Sequence, residues 1–204
     1  MVEEAHITVL NVKKVNMKIS ITGSIGSGKS TVCYYLRSKG YDVFDCDKVN
    51  SKLLEKGYEG YRLIKDNFPE VFNNNELDKA KLASIVFNNE SSKNKLESLL
   101  HPLILNEMKK AMENKDIFIA EVPLLFEANW DSLFDINVLV VSDEQIALDR
   151  LENRGISQSE AKERLNNQFS VQDKIKRANE IIYNNGSLAT LFKAVDELLN
   201  KYVR

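Results

Sequence analysis

Apolar and polar positions alternate over Met17-Lys18-Ile19-Ser20-Ile21, which predicts a short strand running straight into a stretch of glycine and serine. Thr31-Val32-Cys33-Tyr34-Tyr35-Leu36 then carries an amphipathic helix, with Lys39-Gly40 as its C-cap. Tyr41-Asp42-Val43-Phe44 predicts a second strand that ends in Asp45-Cys46-Asp47. Strand, loop, helix and strand make a right-handed unit whose strands are parallel, with their C-terminal ends on one edge, the edge where open α/β sheets take ligands. From residue 48 to residue 113 helical spacing dominates, with no strong strand signal. Its last pattern, from Leu96 to Met112, steps by three and four. His101-Pro102 interrupts it, and Pro102 predicts a kink or a helix restart; His101 is read as a packed histidine at that junction. Residues 116–122 form a third strand. Ile136-Asn137-Val138-Leu139-Val140-Val141 forms a fourth, apolar enough to be buried on both faces. Ile181-Ile182-Tyr183 reads as a last strand, turning at Asn184-Asn185-Gly186 into a closing helix from Leu188 to Leu199.

The glycine-rich stretch is Gly23 to Ser30, GSIGSGKS, with Gly, four residues, Gly, Lys and Ser in order. A strand before it and a helix after it are the context in which this spacing cradles a polyphosphate on inward-facing backbone N–H groups. Gly26, Ser27, Gly28, Lys29, Ser30 and Thr31 are therefore the predicted nucleotide-binding set. Lys29 supplies a point charge to the β- and γ-phosphates, Ser30 is placed to ligate Mg²⁺, and the positive end of the helix dipole faces the same way. ATP and Mg²⁺ are the cofactors this implies.

Acidic residues gather at the predicted strand ends. Asp45 and Asp47 both project toward the loop if the strand persists; if it breaks at Cys46 only one does, and one of the pair caps a helix starting at Lys48. Glu121 and Glu127 bracket the apolar run after the third strand. Ser142-Asp143 follows the fourth and is read as a helix start with Ser142 as the cap. Arg150 and Arg154 lie four apart, on one helical face, in a stretch dense in charge, a placement that suits a lid closing over transferring phosphates; Arg154 is the stronger candidate.

Composition narrows the picture only a little. The chain has 204 residues, 43% hydrophobic and 28% charged, with a net charge of −2, so nothing in its bulk charge points to nucleic acid or an anionic membrane. No run is long enough to span a membrane, and Cys33 and Cys46 read as free thiols of a reducing compartment, so the expected location is the cytoplasm. Residues 1–16 read as an extension outside the functional core, with Met17 able to serve as a start and no role assigned to His6. Oligomeric state is not written in the sequence.

Three classes use such a loop: switch GTPases, motor or transporter ATPases, and small-molecule kinases. Asn114-Lys115-Asp116 has the wrong spacing to read guanine, and no switch or transporter signature follows the third strand. A long helical excursion after the second strand and an arginine-bearing lid after the fourth fit a nucleoside or nucleotide kinase, with a nucleotide-dependent binding module as the non-enzymatic alternative.

The combination ITGSIGSGKSTV at 21–32, Asp45-Cys46-Asp47, Leu77-Asp78, His101-Pro102-Leu103-Ile104, Val122-Pro123-Leu124-Leu125-Phe126-Glu127, Arg150 with Arg154-Gly155, Gln168 and Ile182-Tyr183-Asn184-Asn185-Gly186 resembles the dephospho-coenzyme A kinases, from residue 17 to about residue 200. Cys46, Lys79 and Asn179 depart from the pattern, where Ala, Arg and Asp are usual. The resemblance implies an α/β, three-layer P-loop kinase fold, with an about five-stranded parallel sheet and helices on both faces. It divides residues 17–204 into a core (17–47, 114–148 and 178–204), a helical acceptor-binding lobe (48–113) and a lid (149–177). It implies ATP-dependent phosphorylation of the ribose 3′-hydroxyl of dephospho-coenzyme A, the last step of coenzyme A synthesis. Asp47 would be the general base, with Lys29 and Arg154 as the other catalytic residues.

Overall fold

A computed structural model describes residues 17–203; the segment 1–16 with His6, and Arg204, lie outside the described residues. Five strands form one parallel sheet: β1 (Met17–Thr22), β2 (Val43–Asp45), β5 (Ile117–Glu121), β6 (Ile136–Val141) and β7 (Glu180–Tyr183), in the order β2-β5-β1-β6-β7. The predicted strands are all present. Their C-terminal residues Thr22, Asp45, Glu121, Val141 and Tyr183 share one edge, and the chain leaves β1 toward β2 but leaves the adjacent β5 toward β6, in opposite directions, so the switch point of the sheet lies between the ends of β1 and β5.

Alternation along β1 sorts its side chains between two layers. Ile19 and Ile21 point into a core built with α1 (Lys29–Ser38) and α9 (Leu188–Tyr202), where Val32, Leu36, Leu191 and Val195 are buried. Ser20 faces the other side and donates to Asn137 Oδ1 at 2.7 Å, while Asn179 Oδ1 accepts from the Asn137 N–H at 2.7 Å. That chain of amides gives Asn179 a structural role in place of the acid expected there. The second layer covers Phe118, Ala120, Leu139 and Val141 with Ile104 and Met108 of α5 (Glu90–Met112).

The excursion folds as α2 (Cys46–Leu53), α3 (Glu59–Asn67), a hairpin of β3 (Phe72–Asn73) and β4 (Glu76–Leu77), α4 (Lys79–Asn88) and α5, around Ile64, Phe68, Val71, Leu82 and Leu100. The hairpin was not expected. Its two-residue loop, Asn74-Asn75, has φ of 48° and 66°, the left-handed pair that a tight turn between antiparallel strands requires and that asparagine tolerates. Of the kink or helix restart expected at Pro102, the restart does not occur, since Pro102 lies inside a continuous α5. Leu100 is anchored in the lobe core on one side of it and Ile104 in the sheet core on the other, so packing outweighs the lost hydrogen bond, a cost of about 3 kcal/mol. His101 packs edge-to-face on Trp130, 4.8 Å between ring centroids.

After β6 come α6 (Glu144–Glu152), α7 (Gln158–Asn166) and α8 (Val171–Arg177). Here Ser142 is not the cap. Asp143 takes that position with no side-chain bond to the helix, because its carboxylate and N–H are both held by the Asn185 carboxamide at 2.8 Å, while Ser142 Oγ is buried without a partner among the described residues. The root of α8 is fixed by a buried cation: Lys174, fully inaccessible, pairs with Glu127 at 2.9 Å, and Glu127 also accepts from the Phe169 N–H at 3.0 Å. Glu127 therefore ties helix to sheet. Glu127→Ala leaves a buried ammonium unpaired and is expected to cost about 3–5 kcal/mol. Urea unfolding should show this as a lower midpoint at unchanged slope, and a midpoint equal to that of the parent would refute the role.

Candidate active site

The glycine-rich loop leaves β1 and becomes the first turn of α1, which begins at Lys29, ahead of the Thr31–Leu36 stretch that marks it in the sequence, with Gly28 as its N-cap. Gly28 has φ of 95°, and a Cβ there would sit 2.0 Å from Asn184 Nδ2. Only glycine fits both demands. Asn184, buried at the end of β7, donates that Nδ2 to the Ser27 carbonyl at 2.8 Å. Arg150 reaches in from α6 to the carbonyls of Asn184 (2.9 Å), Ser27 (3.3 Å) and Gly26 (3.4 Å). These contacts hold the loop carbonyls at the back. Since a trans peptide sets its N–H opposite its C=O, the Gly28 N–H faces forward without a ligand to organise it.

Arg150 and Arg154 do not share a helical face. Helix α6 ends at Glu152, and Arg154 lies in the turn before Gly155, exposed and without a side-chain partner among the described residues. Arg154, Gln168, Asp47 and Pro123 close a cavity of about 230 Å³ around Gly23 to Ser30. Gln168 Oε1 accepts from the Ile25 N–H at 3.3 Å and from Lys174 at 3.4 Å, linking the loop tip to the buried ion pair. The sequence singled out Arg150 and Gln168 but not the work they do; Asn184 was read only as part of a turn.

The acids at the sheet edge divide sharply. Strand β2 ends at Asp45, which caps α2 by accepting from the Lys48 N–H at 3.0 Å and lies 3.6 Å from Arg37. The helix thus begins at Cys46, ahead of the Lys48 expected. Glu121 holds Lys29 at 3.1 Å and Arg37 at 3.5 Å. Asp47, in the first turn of α2, has no hydrogen-bond or ion-pair partner among the described residues, and its side chain opens to the cleft. The cleft walls exclude enough water to raise its carboxyl above the usual range, with Asp45 and Glu121 adding to the shift and Lys29 opposing it; water in the open cleft tempers the effect. Burial also pushes the Cys46 thiol up to about 12 and Cys33 further still, so neither supplies a thiolate at neutral pH.

Ser30 is exposed on the first turn of α1 and shares a cavity with Lys29, Asp45, Asp47 and Glu121. The Ser30 hydroxyl and the nearby carboxylates are hard oxygen donors, but no group of three or more acidic, histidine or cysteine residues among the described residues is gathered to hold a metal ion alone, so a divalent cation would have to be carried in with a polyphosphate. No helix among the described residues is long and apolar enough to cross a membrane.

Comparison with known proteins agrees with this geometry. The family model for dephospho-CoA kinase matches residues 17–190. Dephospho-CoA kinase of Fusobacterium nucleatum is 37% identical over 184 residues, 88% of this chain and 95% of that protein. The Geobacillus kaustophilus enzyme is also 37% identical, over 85% of this chain and 90% of its own. Among solved structures, a Thermus thermophilus protein superposes with a TM-score of 0.82 at 33% identity, covering 92% and 98% of the two chains. Dephospho-CoA kinase from Campylobacter jejuni gives 0.65 at 28%, covering 91% and 96%. The shikimate kinase of Acinetobacter baumannii, at 16% identity and 0.53, shares the fold. By family model and by relatives alike, the chain belongs to the dephospho-CoA kinase family.

Proposed function

We infer that the protein transfers the γ-phosphoryl group of ATP to the ribose 3′-hydroxyl of dephospho-coenzyme A, completing coenzyme A in the cytoplasm. The observation that carries this reading is Asp47: of the acids at the sheet edge it is unpartnered, and it lines both the cavity of the phosphate loop and the space under the helical lobe. A carboxylate kept free beside a phosphate cradle is suited to hold an alcohol in line with the γ-phosphate and to accept its proton. In a loose transition state little proton removal is needed early, so orientation carries much of its effect.

In this reading Gly26, Ser27, Gly28 and Thr31 bind the phosphates through the loop and the first turn of α1, and Lys29 exchanges Glu121 for the β- and γ-phosphates. Ser30 would be the ligand from this chain to a Mg²⁺ carried with ATP, and that ion would supply charge neutralisation. Arg154, uncommitted at the rim, stabilises the charge on the transferring group when the lid of residues 149–177 closes. Residues 48–113 form the acceptor lobe, and 17–47, 114–148 and 178–204 the core. The acceptor is a small molecule, and no nucleic acid takes part.

Lys29→Ala should abolish transfer in a folded protein; unchanged turnover would rule out the site. Asp47→Asn is expected to lower kcat by about 10²- to 10⁴-fold at near-normal ATP affinity, with Asp45→Asn as the structural control. If Asp45→Asn is instead the inactive variant, the two roles are exchanged. Because partial desolvation by the cleft walls raises the Asp47 carboxyl, the base is lost as pH falls through a value above the ordinary carboxylate range, so kcat/KM should show an acid limb there that Asp47→Asn abolishes. A limb that survives in the variant belongs to another group. Arg154→Ala should reduce kcat more than ATP binding, and the opposite pattern would remove Arg154 from the reacting phosphates.

A further inference from the structure

Asp47 and Asn50 lie one turn apart on the same face of α2, and both line a second cavity, of about 280 Å³, between α2, α5 and the segment after β5. Its walls are mostly apolar, with Ile104 and Val122 among them, and the rings of His101 and Trp130 form one side. Burial lowers the His101 pKa, so that ring is neutral at physiological pH and presents a flat uncharged surface. Asn50 Oδ1 is buried with no hydrogen-bond partner among the described residues. Leaving a carbonyl-type oxygen in that state is costly, and no part of the fold requires it, because the cap of α2 is supplied by Asp45.

We propose that this cavity receives the adenine ring of the acceptor, and that Asn50 reads its 6-amino group. The inference rests on the reading that Asp47 meets the ribose 3′-hydroxyl. On that ribose the base is one ring away from the hydroxyl, while the pantetheine arm lies beyond a diphosphate; a cavity that opens directly onto Asp47 is therefore within reach of the base. The planar, apolar faces of a purine suit walls of indole, imidazole and aliphatic groups. The carboxamide torsion of asparagine is broad, so a small rotation turns Oδ1 toward an incoming N–H donor and removes the unpaired group. The diphosphate then runs along the adjoining cavity, where Lys48 and Lys52 stand beside Asp47. Asp47 thus sits where the cavities for nucleotide, base and diphosphate meet.

The test compares dephospho-coenzyme A with its hypoxanthine counterpart, whose 6-amino group is replaced by a 6-oxo group, as acceptors for the parent chain, Asn50→Leu and Asn50→Asp at saturating ATP. The parent should prefer the amino acceptor by about 10- to 100-fold in kcat/KM, the span left by one buried polar group that loses its partner. That preference should reside in KM, since the contact is made in ground and transition states alike. Asn50→Leu should lose it at unchanged KM for ATP, and Asn50→Asp, which keeps the acceptor oxygen, should retain it. Equal use of both acceptors by the parent, or an undiminished preference in Asn50→Leu, overturns the assignment. A chain that phosphorylates neither acceptor overturns the reaction itself, and this inference with it. Trp130, the single tryptophan of the chain, gives a readout independent of turnover. Its emission should change saturably with dephospho-coenzyme A in the absence of ATP, at a midpoint roughly 10-fold higher in Asn50→Leu. An emission that never responds places the base elsewhere.

Discussion

The structure depends on holding a short run of backbone in an orientation it has no intrinsic reason to keep. A glycine-rich turn gains little from its own side chains, and glycine loses more conformational freedom on ordering than any other residue. Here the ordering is imposed from behind. Asn184 grips the Ser27 carbonyl, and Arg150 bridges the carbonyls of Gly26, Ser27 and Asn184, so the residue after β7 and the last turn of α6 jointly fix the glycine-rich loop from behind. With the carbonyls occupied, the Gly28 N–H is left facing forward, while the N–H groups of Ile25, Ser27 and Thr31 are held by Gln168 Oε1, the Ser24 carbonyl and the Gly28 carbonyl. The site is preorganised at the expense of groups lying outside it.

The same division of labour runs through the acids. Asp45, Glu121 and Glu127 share the sheet edge or lie next to it, yet each is committed: Asp45 to the start of α2 and to Arg37, Glu121 to Lys29 and Arg37, and Glu127 to Lys174 and the Phe169 N–H. Asp47 differs by two positions from one of these and has no hydrogen-bond or ion-pair partner among the described residues. Capping by Asp45 makes that possible, because once the helix begins at Cys46 the residue at 47 points away from its own backbone and into the cleft. A committed acid thus sets the direction of an uncommitted one.

Much of this was legible in the sequence. The strands are apolar runs whose period or continuity follows from burial on one or both faces, and Gly23 to Ser30 is interpretable because its strand and helix flank it. What escaped were interactions between residues far apart in the chain. Nothing local in Asn184 says that its carboxamide will find Ser27, and nothing near Arg150 separates a clamp on the loop from a mobile lid cation. The helix-face reading of Arg150 and Arg154 failed because α6 stops between them. The hairpin at 72–77 did carry a signal, three consecutive asparagines, but its strands are two residues each and too short to show alternation. Ser142 was a plausible cap on composition alone; the Asn185 carboxamide, supplied from the turn after β7, decided the matter in favour of Asp143.

Helix α5 carries a consequence for how the molecule comes apart. Leu100 belongs to the core of the helical lobe, Ile104 and Met108 to the core under the sheet, and Leu103 packs against both. A lobe joined to its neighbour by flexible linkers could melt alone and be rescued by a substrate. This one shares an unbroken rod with the sheet, so detaching it strips cover from Phe118 and Ala120 as well. Hydrogen exchange in the lobe and in the second face of the sheet should therefore be governed by a common opening event, making the two layers one cooperative unit despite their separate interiors.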